Sequence, residues 1–109
     1  LCIYLSYTNR MKDFDFITGF EWDRNNSEKI LKKHGISIRE AESIFADSNF
    51  VLSEARYSGK EARYAIMGTS GKRRLIAIFT VRKDKIRIIS ARPQSRKERK
   101  VYEEINKDK

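Results

Sequence analysis

Leu75-Ile76-Ala77-Ile78-Phe79-Thr80-Val81-Arg82-Lys83-Asp84-Lys85-Ile86-Arg87-Ile88-Ile89-Ser90-Ala91-Arg92 is the stretch that decides the fold. Two runs rich in β-branched residues flank Lys83-Asp84, which predicts a tight antiparallel hairpin. In the first run Leu75, Ala77, Phe79 and Val81 share one face, and Ile76, Ile78, Thr80 and Arg82 share the other. In the second run strict alternation groups Ile86, Ile88, Ser90 and Arg92 against Arg87, Ile89 and Ala91. Both faces are apolar in the middle, so the pair is expected at the centre of a sheet covered on both sides. The faces turn polar towards Thr80/Arg82 and Ser90/Arg92.

Working outward, Gly68-Thr69-Ser70-Gly71-Lys72 predicts a turn after a strand over Arg63 to Met67. It superficially resembles a phosphate-binding loop but lacks the required spacing. Before it, Ser53 to Lys60 is read as a polar loop and Phe50-Val51-Leu52 as a strand. Ser37, with Glu40 three residues on, has the spacing of a capping box. The helix it opens carries Ile38, Ala41, Ile44 and Phe45 on one face, and Asp47-Ser48-Asn49 ends it. Asp23 is an N-cap for an earlier helix that Gly35 closes after His34. Phe20-Glu21-Trp22-Asp23 alternates as a short strand does. On the other side, Pro93 stops the hairpin's second strand. Ser95 and Glu98 form another capping box, opening a helix with Arg96, Lys97, Arg99, Lys100, Val101, Tyr102 and Ile105. A short strand, two helices, an antiparallel sheet and a last helix make an α+β domain.

At 109 residues the chain is long enough for one domain with a modest core. Its single cysteine, Cys2, excludes an intramolecular disulfide and suggests a reducing compartment. No apolar run is long enough to span a bilayer. A cytoplasmic protein without membrane attachment is expected. Residues 1–19 are read as an N-terminal extension, in part a frayed tail or an edge strand, and residues 20–109 as the domain.

The net charge of +9 is unevenly placed. Residues 1–71 hold ten Lys/Arg against ten Asp/Glu, whereas residues 72–100 hold twelve against Asp84 and Glu98 alone. Cations so concentrated suit a polyanion, because each neutralised phosphate releases condensed counterions. They do not line one strongly apolar helix, which disfavours a membrane surface.

Metal chemistry has little to draw on: one histidine and one cysteine, far apart, offer no ligand spacing. No cofactor is expected. What remains is arginine. Arg63, Arg82, Arg87 and Arg92 all fall on strands of one sheet, with Glu54 and Glu61 the nearest strand-borne acids. Buried arginines need carboxylate partners or a bound anion, and an anion site is favoured. Ser90 adds a hydroxyl, and the helix opening at Ser95 adds N–H donors. RNA brings its own nucleophile, the 2′-OH, so a protein that orients it and stabilises a phosphorane with forked cations suffices for cleavage. Glu98, Glu61, Tyr102 and His34 are all candidates for the proton-transfer group. Trp22, Tyr64 and Tyr102 are candidates to stack on a base. For Trp22 a core role competes, and for His34 a role at the helix C-terminus.

Four stretches resemble the BrnT family of RelE-like ribonuclease toxins. They are Phe20-Glu21-Trp22-Asp23 with Lys33-His34-Gly35-Ile36; Ser37-Ile38-Arg39-Glu40-Ala41; Glu61-Ala62-Arg63-Tyr64 leading to Gly68; and Ile86 to Arg92, running on to Arg96-Lys97-Glu98-Arg99 and Tyr102-Glu103. The resemblance implies a RelE-like α+β fold and RNA cleavage without metal, inhibiting translation and growth. It implies a BrnA-like ribbon-helix-helix antitoxin that forms a hetero-oligomer with the toxin and binds operator DNA. It marks Trp22, Arg63, Arg87, Ser90 and Arg92 as catalytic positions. Arg82, Arg96, Lys97, Arg99 and Lys100 are the expected RNA-binding residues. Two departures stand out. Asn26 and Ile30 occupy positions where the family carries a lysine and an asparagine, and Phe79-Thr80 replaces a usual His-Thr. The second departure sets an alternative beside the nuclease: a weak or inactive module of the same fold that binds nucleic acid or antitoxin.

Overall fold

The computed structural model describes residues 17–58 and 61–107. The chain runs β1 (Gly19–Glu21), α1 (Arg24–His34), α2 (Ile38–Ser43), a 3-10 turn (Ile44–Ala46), β2 (Val51–Ser58), β3 (Glu61–Ser70), β4 (Arg73–Arg82), β5 (Lys85–Pro93) and α3 (Arg96–Asn106). The five strands form one sheet in the order β1-β5-β4-β3-β2. β4 is central, as its two apolar faces require.

The expectation of an antiparallel sheet holds for β2 through β5 and fails at β1, which pairs with β5 in parallel. The sheet is therefore mixed. β1 is joined to the meander through helices rather than a hairpin, and such a connection permits either direction. Alternation within three residues carries no trace of the choice. Ile17 packs against the core and Thr18 donates its N–H to Asp84 O at 2.8 Å, so these positions of the expected extension join the folded body. Residues 1–16 lie outside the described residues.

Every predicted cap is formed. Asp23 accepts from Asn25 N, Gly35 closes α1 at φ +65°, and Ser37 and Ser95 each sit in a complete capping box. Such caps contribute about 1 kcal/mol each. The turn at Lys83-Asp84 puts Lys83 at φ +56°. β2 and β3 run longer than the sequence suggests, pairing through Ser58 and Glu61 across the stretch read as a loop. A register shift between Glu54 and Tyr57 interrupts their alternation, which explains why polar residues there look loop-like. α2 likewise ends at Ser43, and a tighter 3-10 turn carries Ile44 and Phe45 onto the sheet. Gly68 lets that turn approach: a Cβ there would meet Ile44 O at 2.8 Å.

Two cores sandwich the sheet. On one face α1, α2 and the 3-10 turn cover Leu52, Ile66, Leu75, Ala77, Phe79, Ile86, Ile88 and Ala91. Phe79 has no exposed surface, stacks on Tyr64 at 5.5 Å and meets Phe45 edge-on at 5.2 Å. On the other face Tyr102, Val101 and Ile105 of α3 pack with Val51, Ala65, Met67, Ile76 and Ile78. α3 crosses the strands: Glu98 meets Arg92 on β5, Tyr102 meets Thr69 on β3, and Asn106 reaches Asn49 just before β2.

Candidate RNA-cleavage site

A one-residue bulge builds the site. Simple alternation along β5 groups Ser90 and Arg92 with Ile86 and Ile88, and the structure corrects this. Phe79 lies opposite Ile88, but Ile78 lies opposite Ser90, so β5 carries one extra residue, Ile89. A bulge of this kind moves everything beyond it to the opposite face. Ala91 therefore packs in the helical-face core beside Ala77, while Ser90 and Arg92 join Arg87 on the α3 face.

Three rows of residues then cross that face. Arg92, Ile76, Met67 and Val51 form the row where α3 packs. Ser90, Ile78, Ala65 and Ser53 form the next. Glu21, Arg87 and Thr80 form the third, and one step beyond the Tyr64–Phe79 pair the β3–β4 register brings Arg63 towards Thr80. Ser90 and Arg92 are exposed, and Arg63 and Arg87 are half-buried. Thr80 is buried and anchors the row by donating its hydroxyl to Ala62 O at 2.9 Å.

Acids from unexpected elements hold Arg87 and Arg92. Arg87 donates to Glu21 Oε1 at 3.1 Å and to Asp23 Oδ2 at 3.2 Å, one acid on β1 and the other the cap of α1. Arg92 grips Glu98 with both Nη atoms, at 2.7 and 2.8 Å. Glu98 Oε1 also accepts the Ser95 N–H at 2.8 Å, so one carboxylate caps the helix and holds the arginine. Burial raises the Glu98 pKa, but hydrogen bonds from Arg92 and Ser95 outweigh it and leave the carboxyl below its ordinary range. The same pair raises Arg92. The ion-pair arrangement is thus realised at Arg87 and Arg92, where the sequence favours an anion. Arg63 differs: its Nε is buried without a hydrogen-bond partner. Arg82 is exposed at the hairpin end of β4.

The remaining candidates are spread more widely. Trp22 packs against the helical-face core and donates Nε1 to Glu42 at 2.7 Å. Tyr64 stacks within that core. Tyr102 is buried, bonded to Asp47 at 2.5 Å and to Thr69 at 3.0 Å, and burial followed by Asp47 raises its pKa. It is therefore poorly placed to take a proton from RNA. The His34 carbonyl accepts from Arg73, which also reaches Gly35 O and Glu40 and ties α1 to α2. Of the proton-transfer candidates, Glu98 alone is shown beside a site arginine; the side chains of Glu54 and Glu61 lie outside the described residues. Arg96, Lys97, Arg99 and Lys100 are exposed on the first turns of α3, next to Arg92. Glu21, Asp23 and Thr80 are the participants that sequence reasoning missed. In sequence, Glu21 and Asp23 show only as strand alternation and a helix cap.

A family model described as "Ribonuclease toxin, BrnT, of type II toxin-antitoxin system" matches residues 22–98. No match is found among curated proteins. The matched stretch spans most of the chain, from Trp22 to the Glu98 that holds Arg92. This chain belongs to the BrnT family of ribonuclease toxins of type II toxin–antitoxin systems.

Proposed function

We propose that the chain is a cytoplasmic RNA endonuclease with a RelE-like fold that cuts without a metal and inhibits translation and growth. A BrnA-like ribbon-helix-helix antitoxin neutralises it in a hetero-oligomer that binds operator DNA. The observation that carries this reading is the meeting of Arg63, Arg87, Ser90 and Arg92 on one face of the sheet, the face on which α3 packs. The 2′-OH of the substrate gives up its proton to solvent and attacks the adjacent phosphorus, the P–O5′ bond breaks, and the departing 5′-oxygen takes a proton from water, which leaves a 2′,3′-cyclic phosphate on one fragment and a 5′-OH on the other. Arg63 and Arg87 face the non-bridging oxygens as charge develops, and Arg92 and Ser90 orient the phosphate. The unpartnered Nε of Arg63 fits a cation whose partner is an incoming oxyanion. The exposed cations of α3 hold the flanking strand.

The alternative, a binding module without chemistry, rests on Phe79. That residue is fully buried on the helical face, in contact with Tyr64 and Phe45. A side chain there is on the opposite face from Arg63, so its identity bears on packing more than on this site.

The test is inducible expression in bacteria, alone and with the antitoxin, reading growth and RNA integrity. Growth arrest with fragmented RNA, relieved by the antitoxin, is expected. Arg92→Ala should lower cleavage by about 10²-fold, as misplacing the reacting phosphate does, while the protein still melts cooperatively. An Arg92→Ala protein that arrests growth like its parent removes Arg92 from the site. Normal growth and intact RNA from folded protein would support the binding module instead.

A further inference from the structure

Beyond the arginine rows, a cleft of about 370 Å³ opens where β4 begins, β5 ends and α3 crosses. It falls in the roughly 300–1,000 Å³ range of small-ligand sites. Lys72, Arg74, Arg99 and Glu103 line it together with Gln94. Arg74 is committed, bonded to Glu103 and lying over the Tyr102 ring at 5.8 Å. Among the described residues, Lys72 and Arg99 have no ion-pair partner, and both are exposed.

Gln94 is the unusual member. It is only 6% exposed. Its backbone N–H bonds Arg74 O at 2.9 Å and its Nε2 donates to Leu75 O at 3.0 Å. That second bond fixes the amide orientation, because the Leu75 carbonyl accepts only from nitrogen. The oxygen, Oε1, is then left buried without a partner. A buried acceptor of this kind is uncommon and calls for a donor. A phosphodiester group, which only accepts, does not supply one. A nucleotide does: its phosphate meets Lys72 and Arg99, and, once the cleft wall shifts to uncover Oε1, a base amino group or ribose hydroxyl donates to Gln94.

We propose that this cleft is a second RNA subsite, holding one nucleotide that flanks the cut, with Gln94 selecting it by a donated hydrogen bond. The proposal rests on the RNA-cleavage reading and extends it to a determinant of sequence preference. Pro93 is six residues from Arg87 along β5, about 20 Å at strand spacing. That distance is covered by at most about six stacked nucleotides, with Ser90 and Arg92 on the way.

The experiment is a titration of the whole chain with the four 5′-nucleoside monophosphates and with inorganic phosphate, followed by NMR at backbone amides and the Gln94 side-chain amide. At least one nucleotide should bind about fivefold tighter than phosphate, as one net hydrogen bond confers, and shift the Gln94 signals. Gln94→Leu should reduce that nucleotide to the affinity of phosphate. Because this change also removes the bond to Leu75, Lys72→Ala with Arg99→Ala provides a surface variant, expected to weaken nucleotides and phosphate together. Nucleotides binding no tighter than phosphate, or shifts confined to Arg87 and Ser90, would overturn the proposal. So would signals at Gln94 that move only when an antitoxin is added. Nucleotide binding at Gln94 in a chain that leaves RNA intact would sink the nuclease reading and spare the cleft. Cleaved RNA without a response at Gln94 would do the reverse.

Discussion

The two faces of the sheet start from the same apolar strands and end with opposite tasks. The helical face is closed over its centre: Leu75, Ala77, Phe79 and Ile88 have no exposed surface, and helices and aromatic rings fill the space above them. On the α3 face the helix packs on the rows led by Arg92 and Ser90, while the row beyond is held by Glu21, Arg87, Thr80 and Arg63. The difference turns on Ile89. Without the bulge, β5 would send Arg92 and Ser90 into the helical core and Ala91 out. With it, core and site are built from one strand. Bulges near functional sites commonly re-aim side chains in this way.

The severest way to break the contrast is Ala91→Arg, which sets a charge where the bulge has put a small core residue. Ala91 is 1% exposed in that core, and burying a guanidinium there without a partner costs as much as the whole ~5–15 kcal/mol stability of a small domain. The expected result is loss of a cooperative thermal transition by circular dichroism. An Ala91→Arg variant that melts like the parent would show that residue 91 does not face the helical core and that the bulge is not what sorts the two faces.

Phe79 tests the same division from the core side. Phe79→Ala should cost about 3–5 kcal/mol in urea unfolding. Phe79→His, which brings back the residue the family resemblance expects, should destabilise as well and leave cleavage per folded molecule no higher than the parent's. A rise in cleavage with Phe79→His would place that position in the chemistry after all.

Much of this was legible in the sequence where the signal is local. Asp23, Ser37, Ser95 and Gly35 act through bonds within a few residues, and each forms as its spacing predicts. The hairpin and its central position followed from two runs apolar on both faces. The arginine set was also visible, as residues. Its grouping was not, because period-two reading cannot see a bulge: Ile88-Ile89-Ser90-Ala91 fits either face until the partner strand is known. The partners of Arg87 and Arg92 were hidden for a related reason. Glu21 and Asp23 lie more than sixty residues from Arg87 and reach it through the parallel pairing of β1, which three residues cannot announce. Glu98 was recognised as a cap, and a cap with a second duty looks the same in sequence.

That second duty gives a smaller, pH-dependent effect. The Glu98 carboxyl is held below its ordinary value of 4.5 in the folded protein. A lowered acid contributes stability that is present above its unfolded pKa and lost as pH falls through the folded one. Glu98→Gln, which keeps a capping-box acceptor but loses the charge, should therefore lower stability at pH 7, by about 1 kcal/mol for a half-exposed pair. The gap between variant and parent should close as pH drops below 4.5. A gap that persists at acid pH would mean that Glu98 acts through shape rather than charge.

The smallest effect on stability belongs to the exposed first turns of α3. Arg96, Lys97, Arg99 and Lys100 make no ion pair among the described residues and cover no core, so neutralising all four should change unfolding by less than about 0.5 kcal/mol per site. RNA binding should respond quite differently. Each cation removed from a phosphate flattens the slope of log affinity against log salt by about 0.7 for a single strand. Because these residues lie away from the Arg63 and Arg87 row, the cleavage rate at saturating RNA should hold while affinity falls. An unchanged salt slope would mean that the strand leaves the sheet by another route, and that the cationic helix serves a partner other than RNA.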